Sequence, residues 1–318
     1  MHLTAMRIGI IGTGALASLF ATYLHEVADV VMVGSWAEQL RALATDGLTL
    51  IDLAGQERRC AITATDDAAA VPPVDVALLL VKSYQTKTAA ARAQTLLTAN
   101  GLAVTLQNGL GNLELLATAV GPEQATLGVV TMGATLLQPG VVRHAGAGVV
   151  YLSPPTPEHA AFAPLVAVLQ AAGLTVQVMA DARGLVWGKL AVNAAINPLT
   201  AVHDLPNGQL TQRPFLRRVM ATAAREVEAV AAAQGITLPF PDAAAQAYRV
   251  ASDTFHNRSS MLQDVANGRA TEIDAICGAV TRHGQQCGVP TPVNQQLWAW
   301  VRRLEANDKS WQPTIQYI

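Results

Sequence analysis

The sequence predicts an α/β protein in two parts: a doubly wound, largely parallel sheet at the amino-terminal end, then an all-helical carboxyl-terminal half. Two observations carry this. Over roughly the first 180 residues, short β-rich runs alternate with helical patterns, the signature of a sheet covered by helices on both faces. From Gly184 onward the β runs stop, and nearly every segment shows helical periodicity.

The expected strands of the sheet are 7–11, 29–33, 76–82 and 102–107, each dominated by Val, Ile, Leu or Met as strands buried on both faces require. Further strands at 126–136, 141–144 and 149–153 are separated by Gly and Pro turns, and 48–52 with 59–63 reads as a small hairpin-like insertion. A helix over 159–172 and a strand over 174–179 close this half. The helices that follow are 185–202, 209–234, 241–258, 271–288 and 293–307, with a tail at 312–318. The switch at 180–183 divides the chain into domains 1–181 and 182–318, which suits 318 residues at about 100–200 per domain.

Composition excludes several classes of function. Hydrophobic residues make up 51% and charged residues 14%, so core material is plentiful and some apolar area can be shared between subunits, a homodimer being one way to do so. A formal net charge of -2 gives no electrostatic basis for nucleic acid or an anionic membrane as partner. Cys60, Cys277 and Cys287 are odd in number and lack Cys-x-x-Cys spacing, so neither a disulfide framework nor a zinc site is indicated. The seven histidines show no paired metal-ligand spacing either. The apolar run 76–81 is far short of the roughly 20 residues of a membrane span. The start of the chain lacks the pattern of a signal peptide, and a reducing, cytoplasmic setting is expected.

The first strand runs into Gly12-Thr13-Gly14-Ala15-Leu16-Ala17 and then a helical pattern through His25. Gly12 permits a tight turn, Gly14 leaves room for a pyrophosphate, and Ala17 allows close packing of helix on strand, so free amides at the helix start can hold an anion. This is the Rossmann-type dinucleotide fingerprint in its expected context. An acidic residue at the end of the second strand would select NAD and a nearby Arg would accommodate the NADP phosphate. Here the end reads Val33-Gly34-Ser35-Trp36, with neither; Ser35 can bond to either form, and the absence of an acid that would repel phosphate leans toward NADP.

In the helical half, Lys189, Asn193 and Asn197 recur every fourth position along an apolar helix. Side chains four apart stack on one face. A cation and two carboxamides in a row on a greasy cylinder are costly unless hydrogen-bonded, which marks a face built for a small polar molecule or amides that brace neighbouring elements. Asn108 follows the strand at 102–107 at a carboxyl end where ligands of open α/β sheets bind, although Asn-Gly is also a common turn. Lys82 ends the strand at 76–82 on the same edge. Ser260 reads as the cap of a helix beginning at Met261, and Thr271 as the cap of one containing Glu272.

Together these pieces resemble the ketopantoate reductase (2-dehydropantoate 2-reductase) family over residues 8–305. The marks are the glycine fingerprint, Val81-Lys82-Ser83-Tyr84-Gln85, Gln107-Asn108-Gly109-Leu110-Gly111, His144-Ala145-Gly146, Trp187 to Asn193, Asn197 to Ala201, Pro206-Asn207-Gly208, Ser259 to Asp264 and Thr271 to Asp274. The resemblance implies Lys189 as general acid and Glu272 as the carboxylate that binds and orients a 2-oxo acid, here 2-dehydropantoate. It implies that Asn108, Asn193, Asn197 and Ser260 contact substrate or nicotinamide, and that Gly12, Thr13, Gly14, Ala15, Leu16, Ser35, Lys82, Gln85 and Asn108 lie along the dinucleotide. NADP is the implied cofactor, with NAD open because Ser35 stands where the family usually has Arg. Reduction of a 2-oxo carbon leaves negative charge on oxygen, which an ammonium of lowered pKa can stabilise and then protonate. Two alternatives stay open: a reductase of this family or of the β-hydroxyacid dehydrogenase group acting on another acid, and a non-catalytic dinucleotide sensor.

Overall fold

The computed structural model describes residues 6–306; residue 307, the expected end of the last helix, and the tail at 312–318 lie outside them. The chain divides into two compact units, one formed by Met1–Gln107 with Asn112–Ala182 and the other by Asn108–Gly111 with Arg183–Ile318.

The first unit contains β1 (Arg7–Ile11), α1 (Ala15–Leu24), β2 (Asp29–Val33), α2 (Ala37–Asp46), β3 (Leu48–Ile51), β4 (Glu57–Cys60), β5 (Thr63–Thr65) and β6 (Val74–Leu79). It continues with α3 (Thr86–Leu96), β7 (Leu97–Thr105), α4 (Asn112–Val120), β8 (Ala125–Val130), β9 (Gly133–Gln138), β10 (Val141–Gly146), β11 (Val150–Leu152), α5 (Phe162–Ala171) and β12 (Val176–Val178). The main sheet has eight strands in the order β12-β11-β8-β7-β6-β1-β2-β5. The run from β8 to β5 is parallel, whereas β11 lies antiparallel to β8.

Successive residues of each central strand face opposite sides of the sheet, and this builds two cores at once. Ile8, Ile10, Val30, Met32, Val76 and Leu78 pack with Leu19 and Phe20 of α1, while Ile11, Val33, Ala77 and Leu79 pack with Ala89, Ala90 and Ala93 of α3. Strands that serve two cores must be apolar throughout, which is why they read as near-continuous hydrophobic runs.

The expected strand at 126–136 is two strands in two sheets. β8 belongs to the main sheet, and β9 starts a second sheet of order β4-β3-β10-β9. Thr131 ends the first ladder by pairing with Val149, its N–H donating to the Val149 carbonyl at 3.1 Å and its Oγ1 accepting from the Val149 N–H at 2.8 Å. The hairpin of β3 and β4 is present as expected, and it supplies half of that second sheet. Two polar links tie this sheet to the helices beside it. The Gly146 carbonyl can only accept, so His144 donates through Nε2 at 3.0 Å and accepts the Tyr23 hydroxyl at Nδ1, 2.9 Å away. Fully buried Gln39 donates to Ser18 Oγ and accepts the Gly140 N–H.

The second unit is helical: α6 (Arg183–His203), α7 (Gln209–Gln212), α8 (Pro214–Ala233), α9 (Ala243–Asp253), α10 (Ser260–Ala266), α11 (Cys277–Cys287) and α12 (Pro292–Glu305). Its core gathers Ala191, Ala194, Ala195 and Leu199 of α6 with Met220, Ala223, Ala224 and Val227 of α8. Three expected helices differ. The one at 209–234 breaks at Arg213, because Pro214 has no N–H to continue it and instead opens α8. The one at 241–258 narrows to α9, whose first amides, at Ala244 and Ala245, are capped by Asp242 at 2.8 and 3.0 Å. The one at 271–288 starts only at Cys277, so residues 271–276 form a turn and Glu272 is not helical. Thr271 accordingly caps no helix: its Oγ1 accepts the Ile273 N–H, a local bond that competes with helix formation.

Two details complete the helical unit. Pro198 within α6 cannot donate to the Ala194 carbonyl, and the Cys277 thiol takes that place at 3.9 Å. Glu226 of α8 is buried and accepts from the Val293 and Asn294 N–H groups and from Asn294 Nδ2, at 2.8–2.9 Å, which caps α12. Among the described residues no helix is long and apolar enough to cross a membrane, and no cluster of His, Cys, Asp and Glu could hold a metal ion.

Candidate active site

In the first unit, the turn after β1 sits at the point where the sheet order reverses, with β2 on one side and β6 on the other. Ligands of open α/β sheets bind at such a point. Gly12 adopts φ +129°, and a Cβ there would lie 2.9 Å from the Leu80 carbonyl oxygen, so only glycine lets the turn pass this close to the loop after β6. Gly14 is the N-cap of α1, no side chain caps the helix there, and a Cβ at Gly14 would meet open space. Uncapped amides behind an open glycine form an anion cradle, and the turn therefore fits a dinucleotide pyrophosphate. Thr13 is buried and packs against Gly34, where a Cβ would come within 2.6 Å of Thr13 Cγ2. Ala15 and Leu16 open α1 and are partly buried.

Lys82 follows β6 and precedes a single 3₁₀ turn, Ser83–Gln85, that leads into α3. Its loop is held by Gln107, whose Nε2 donates to the Val81 carbonyl at 3.1 Å and to Thr86 Oγ1 at 2.8 Å. Gln107 is thus a positioning residue that sequence reasoning treated only as part of a motif. Gln85 and Ser35 are exposed. Ser35 lies beyond β2, beside the end of β5, which runs on into Asp66 and Asp67.

The second unit brings a different set together. Asn108 Nδ2 donates to Glu272 Oε2 at 3.0 Å, and the Leu110 N–H donates to the Ala275 carbonyl at 2.9 Å. This is why Asn108–Gly111 groups with the helical unit although it directly follows β7. Gly109 has φ +84°, and a Cβ there would lie 2.5 Å from the Ala275 carbonyl oxygen, so the loop approaches the 271–276 turn as closely as backbone can. Glu272 is 5% exposed. Its carboxylate acts electrostatically on Lys189, favouring the ammonium, but burial is the larger influence and lowers the Lys189 pKa from 10.5 to about 8.

Asn193 and Asn197 continue the row on α6. Asn197 is 7% exposed. Asn193 is partly buried, and neither carboxamide is hydrogen-bonded to another of the described residues, which leaves both to water or a ligand. The backbone of this stretch is fixed by a short chain: the Thr200 hydroxyl donates to the Asn197 carbonyl at 2.9 Å and shares a 2.7 Å bond with Ser259 Oγ, which accepts the Leu262 N–H. Ser259, not Ser260, is therefore the cap of α10. Ser260 is the first helical residue and is exposed. The cap moves back one residue because the Ser259 hydroxyl is the one three positions before the Leu262 amide.

A family model for ketopantoate reductase PanE/ApbA matches residues 8–157, and one for the C terminal of the same family matches 181–305. The chain belongs to the ketopantoate reductase family. Curated relatives include the 2-dehydropantoate 2-reductase of Halobacterium salinarum, 35% identical over 93% of this chain and 98% of the relative. The enzyme of the same name from Archaeoglobus fulgidus is also 35% identical, over 94% and 98%. Among solved structures, a PanE/ApbA family ketopantoate reductase from Ralstonia eutropha aligns with a TM-score of 0.87 at 32% identity, covering 96% of this chain and all of that one. A ternary structure of D-mandelate dehydrogenase with NADH and anilino(oxo)acetate aligns with a TM-score of 0.89 at 28% identity, covering 95% and 99%. Members of the ketopantoate reductase family are NAD(P)-dependent oxidoreductases, and so is this protein.

Proposed function

We propose that the protein reduces the 2-oxo carbon of 2-dehydropantoate to give pantoate, with Lys189 as general acid. The observation that carries this reading is the row on α6, an ammonium of lowered pKa followed by one partly buried and one buried carboxamide that bond to no other described residue. The curated relatives named 2-dehydropantoate 2-reductase support the choice of substrate.

When bound, the reduced nicotinamide supplies the hydride. The residues of this chain do the rest. Gly12, Thr13, Gly14, Ala15 and Leu16 hold the pyrophosphate on the amides of α1, with Lys82 and Gln85 along it. Asn193 and Asn197 offer donors to the substrate carboxylate and carbonyl, with Ser260 and Asn108 as further polar contacts. Glu272, oriented by Asn108, accepts from a substrate hydroxyl and keeps Lys189 charged. Lys189 stabilises the negative charge that develops on the carbonyl oxygen and then gives that oxygen its Nζ proton. Solvent restores the proton between turnovers. Cys60, Cys277 and Cys287 are all free thiols, which supports a reducing, cytoplasmic setting.

For the cofactor, charge favours NADH. Ser35 carries no cation for a 2′-phosphate, and the adjoining strand end supplies Asp66 and Asp67. Lys82 follows β6, two strand positions from β2, or about 10 Å at the usual spacing; this supports a role on the pyrophosphate and not on the adenosine ribose. Steady-state reduction of 2-dehydropantoate, followed by nicotinamide absorbance with NADH and NADPH side by side, tests both parts. The expected result is turnover with both and a higher kcat/KM for NADH.

A second reading rests on the likeness to D-mandelate dehydrogenase, which supports a 2-oxo acid with an aromatic substituent as an alternative substrate. A higher kcat/KM for phenylglyoxylate than for 2-dehydropantoate would favour it and leave the roles of Lys189 and Glu272 unchanged.

A further inference from the structure

Glu305 ends α12, where a carboxylate is misplaced by the rule that helix carboxyl termini favour cations. Arg302 and Arg303 in the same turn obey that rule. The Glu305 side chain is nonetheless only 12% exposed, and both of its oxygens are engaged. Oε1 accepts from the Thr271 backbone N–H and from the Thr271 hydroxyl, each at 2.7 Å. Oε2 accepts from Arg302 Nη1 at 2.9 Å, and Arg302 also lies 3.6 Å from Asp274 Oδ2.

Thr271 immediately precedes Glu272, in a stretch that no regular helix holds. Its backbone N–H is fixed by Glu305, and its hydroxyl both donates to Glu305 and accepts the Ile273 N–H at 3.2 Å. The Glu272 carbonyl then accepts from Ala275 and Ile276 at 3.1 and 3.0 Å, which closes the turn. The peptide bearing Glu272 is therefore clamped on both sides, and the outer jaw of the clamp is the Glu305 carboxylate. We propose that Glu305 is a positioning residue: by gripping Thr271 it sets the turn that directs the Glu272 carboxylate toward Asn108 and Lys189.

A carboxylate used in this way outweighs its unfavourable place at the helix end, because charge-assisted hydrogen bonds of 2.7 Å are among the stronger ones a side chain makes. The consequence is readable at Lys189. Glu272 is the charge that favours its ammonium, so a turn that loses its clamp lets Glu272 drift and lowers the pH at which Lys189 gives up its proton. A purely structural role of Glu305 in docking α12 would leave that pH where it is.

The test compares wild type with Glu305→Ala, Thr271→Val and Thr271→Ser, each first checked for a folded state by circular dichroism. The Lys189 titration is followed directly, as the pH dependence of its acylation by an amine-reactive ester, located by peptide mass mapping. The alkaline limb of kcat/KM is recorded in parallel. Expected is a shift of both midpoints to lower pH by about half to one unit in Glu305→Ala, a smaller shift in Thr271→Val, and none in Thr271→Ser, which keeps the hydroxyl. The double variant Glu305→Ala/Thr271→Val shifts no further than Glu305→Ala alone, as for two residues of one clamp. An unmoved midpoint in folded Glu305→Ala overturns the proposal; if that variant fails to fold, an unmoved midpoint in Thr271→Val does so. The inference depends on the proposed function only for its effect on turnover. If wild type reduces no 2-oxo acid, that reading fails while the acylation midpoints still decide the role of Glu305.

Discussion

Lys189 shows how a single residue is tuned by opposing influences. Removing its ammonium from water lowers its pKa, Glu272 pulls the other way, and the balance at about 8 leaves a strong proton donor that is still charged at neutral pH. A general acid must be protonated to act, so kcat/KM in the reductive direction is expected to be flat below about pH 8 and to fall as pH rises above it. A profile flat through pH 10 would show that another group donates. In the proposed reading, Ser35 governs the cofactor by what it lacks. Ser35→Arg places a cation after β2 and is expected to raise the NADPH/NADH ratio of kcat/KM at least about tenfold, the scale of one charge-assisted phosphate contact; equal effects on both cofactors would separate Ser35 from the ribose. The row on α6 was legible in the sequence because helical spacing is a local property. The partners of Glu272 were not. Asn108 lies 164 positions away, and the bond from Thr271 to Glu305 spans 34, separations that only the folded chain closes.

At the scale of elements, two short contacts decide whether the site is held. Gly109 has positive φ and meets the Ala275 backbone, so Gly109→Ala must push the 108–111 loop off the 271–276 turn and take Asn108 with it. A fall in kcat of about tenfold or more is expected, with a lowered Tm; wild-type activity in the variant would mean the loop can shift without moving Asn108. Glu226→Ala strips the cap from α12 and leaves the Val293 and Asn294 N–H groups buried without acceptors, which costs about 2–4 kcal/mol. A urea midpoint lowered with an unchanged slope would show it. The parallel strands were legible because a two-sided core forces continuous apolar runs, and the glycine turn was legible because its spacing is fixed by backbone geometry. The break of the 126–136 run into two sheets left no mark stronger than Gly133, since both halves are equally β-prone. The turn at 271–276 was hidden for a related reason: its residues tolerate a helix, and a carboxylate from another element removes the choice.

At the scale of the molecule, the proposed chemistry is divided between two units with separate cores. The glycine turn, Ser35, Lys82 and Gln85 belong to the first, and Lys189, Asn193, Asn197, Ser260, Glu272 and the Asn108 loop to the second. The end of the β runs put the change of character near 180–183, but the transfer of Asn108–Gly111 to the helical unit was not legible, because it rests on long-range bonds such as those of Leu110 to Ala275 and of Asn108 to Glu272. The division implies that dinucleotide affinity and proton donation can be altered separately. Steady-state and single-turnover reduction of 2-dehydropantoate by wild type and Lys189→Ala, with the dinucleotide Kd measured for both, tests this most directly. The account predicts an unchanged Kd and a kcat lowered by a factor of about 10²–10⁴, the range for loss of a general acid; near-wild-type turnover in Lys189→Ala would contradict it.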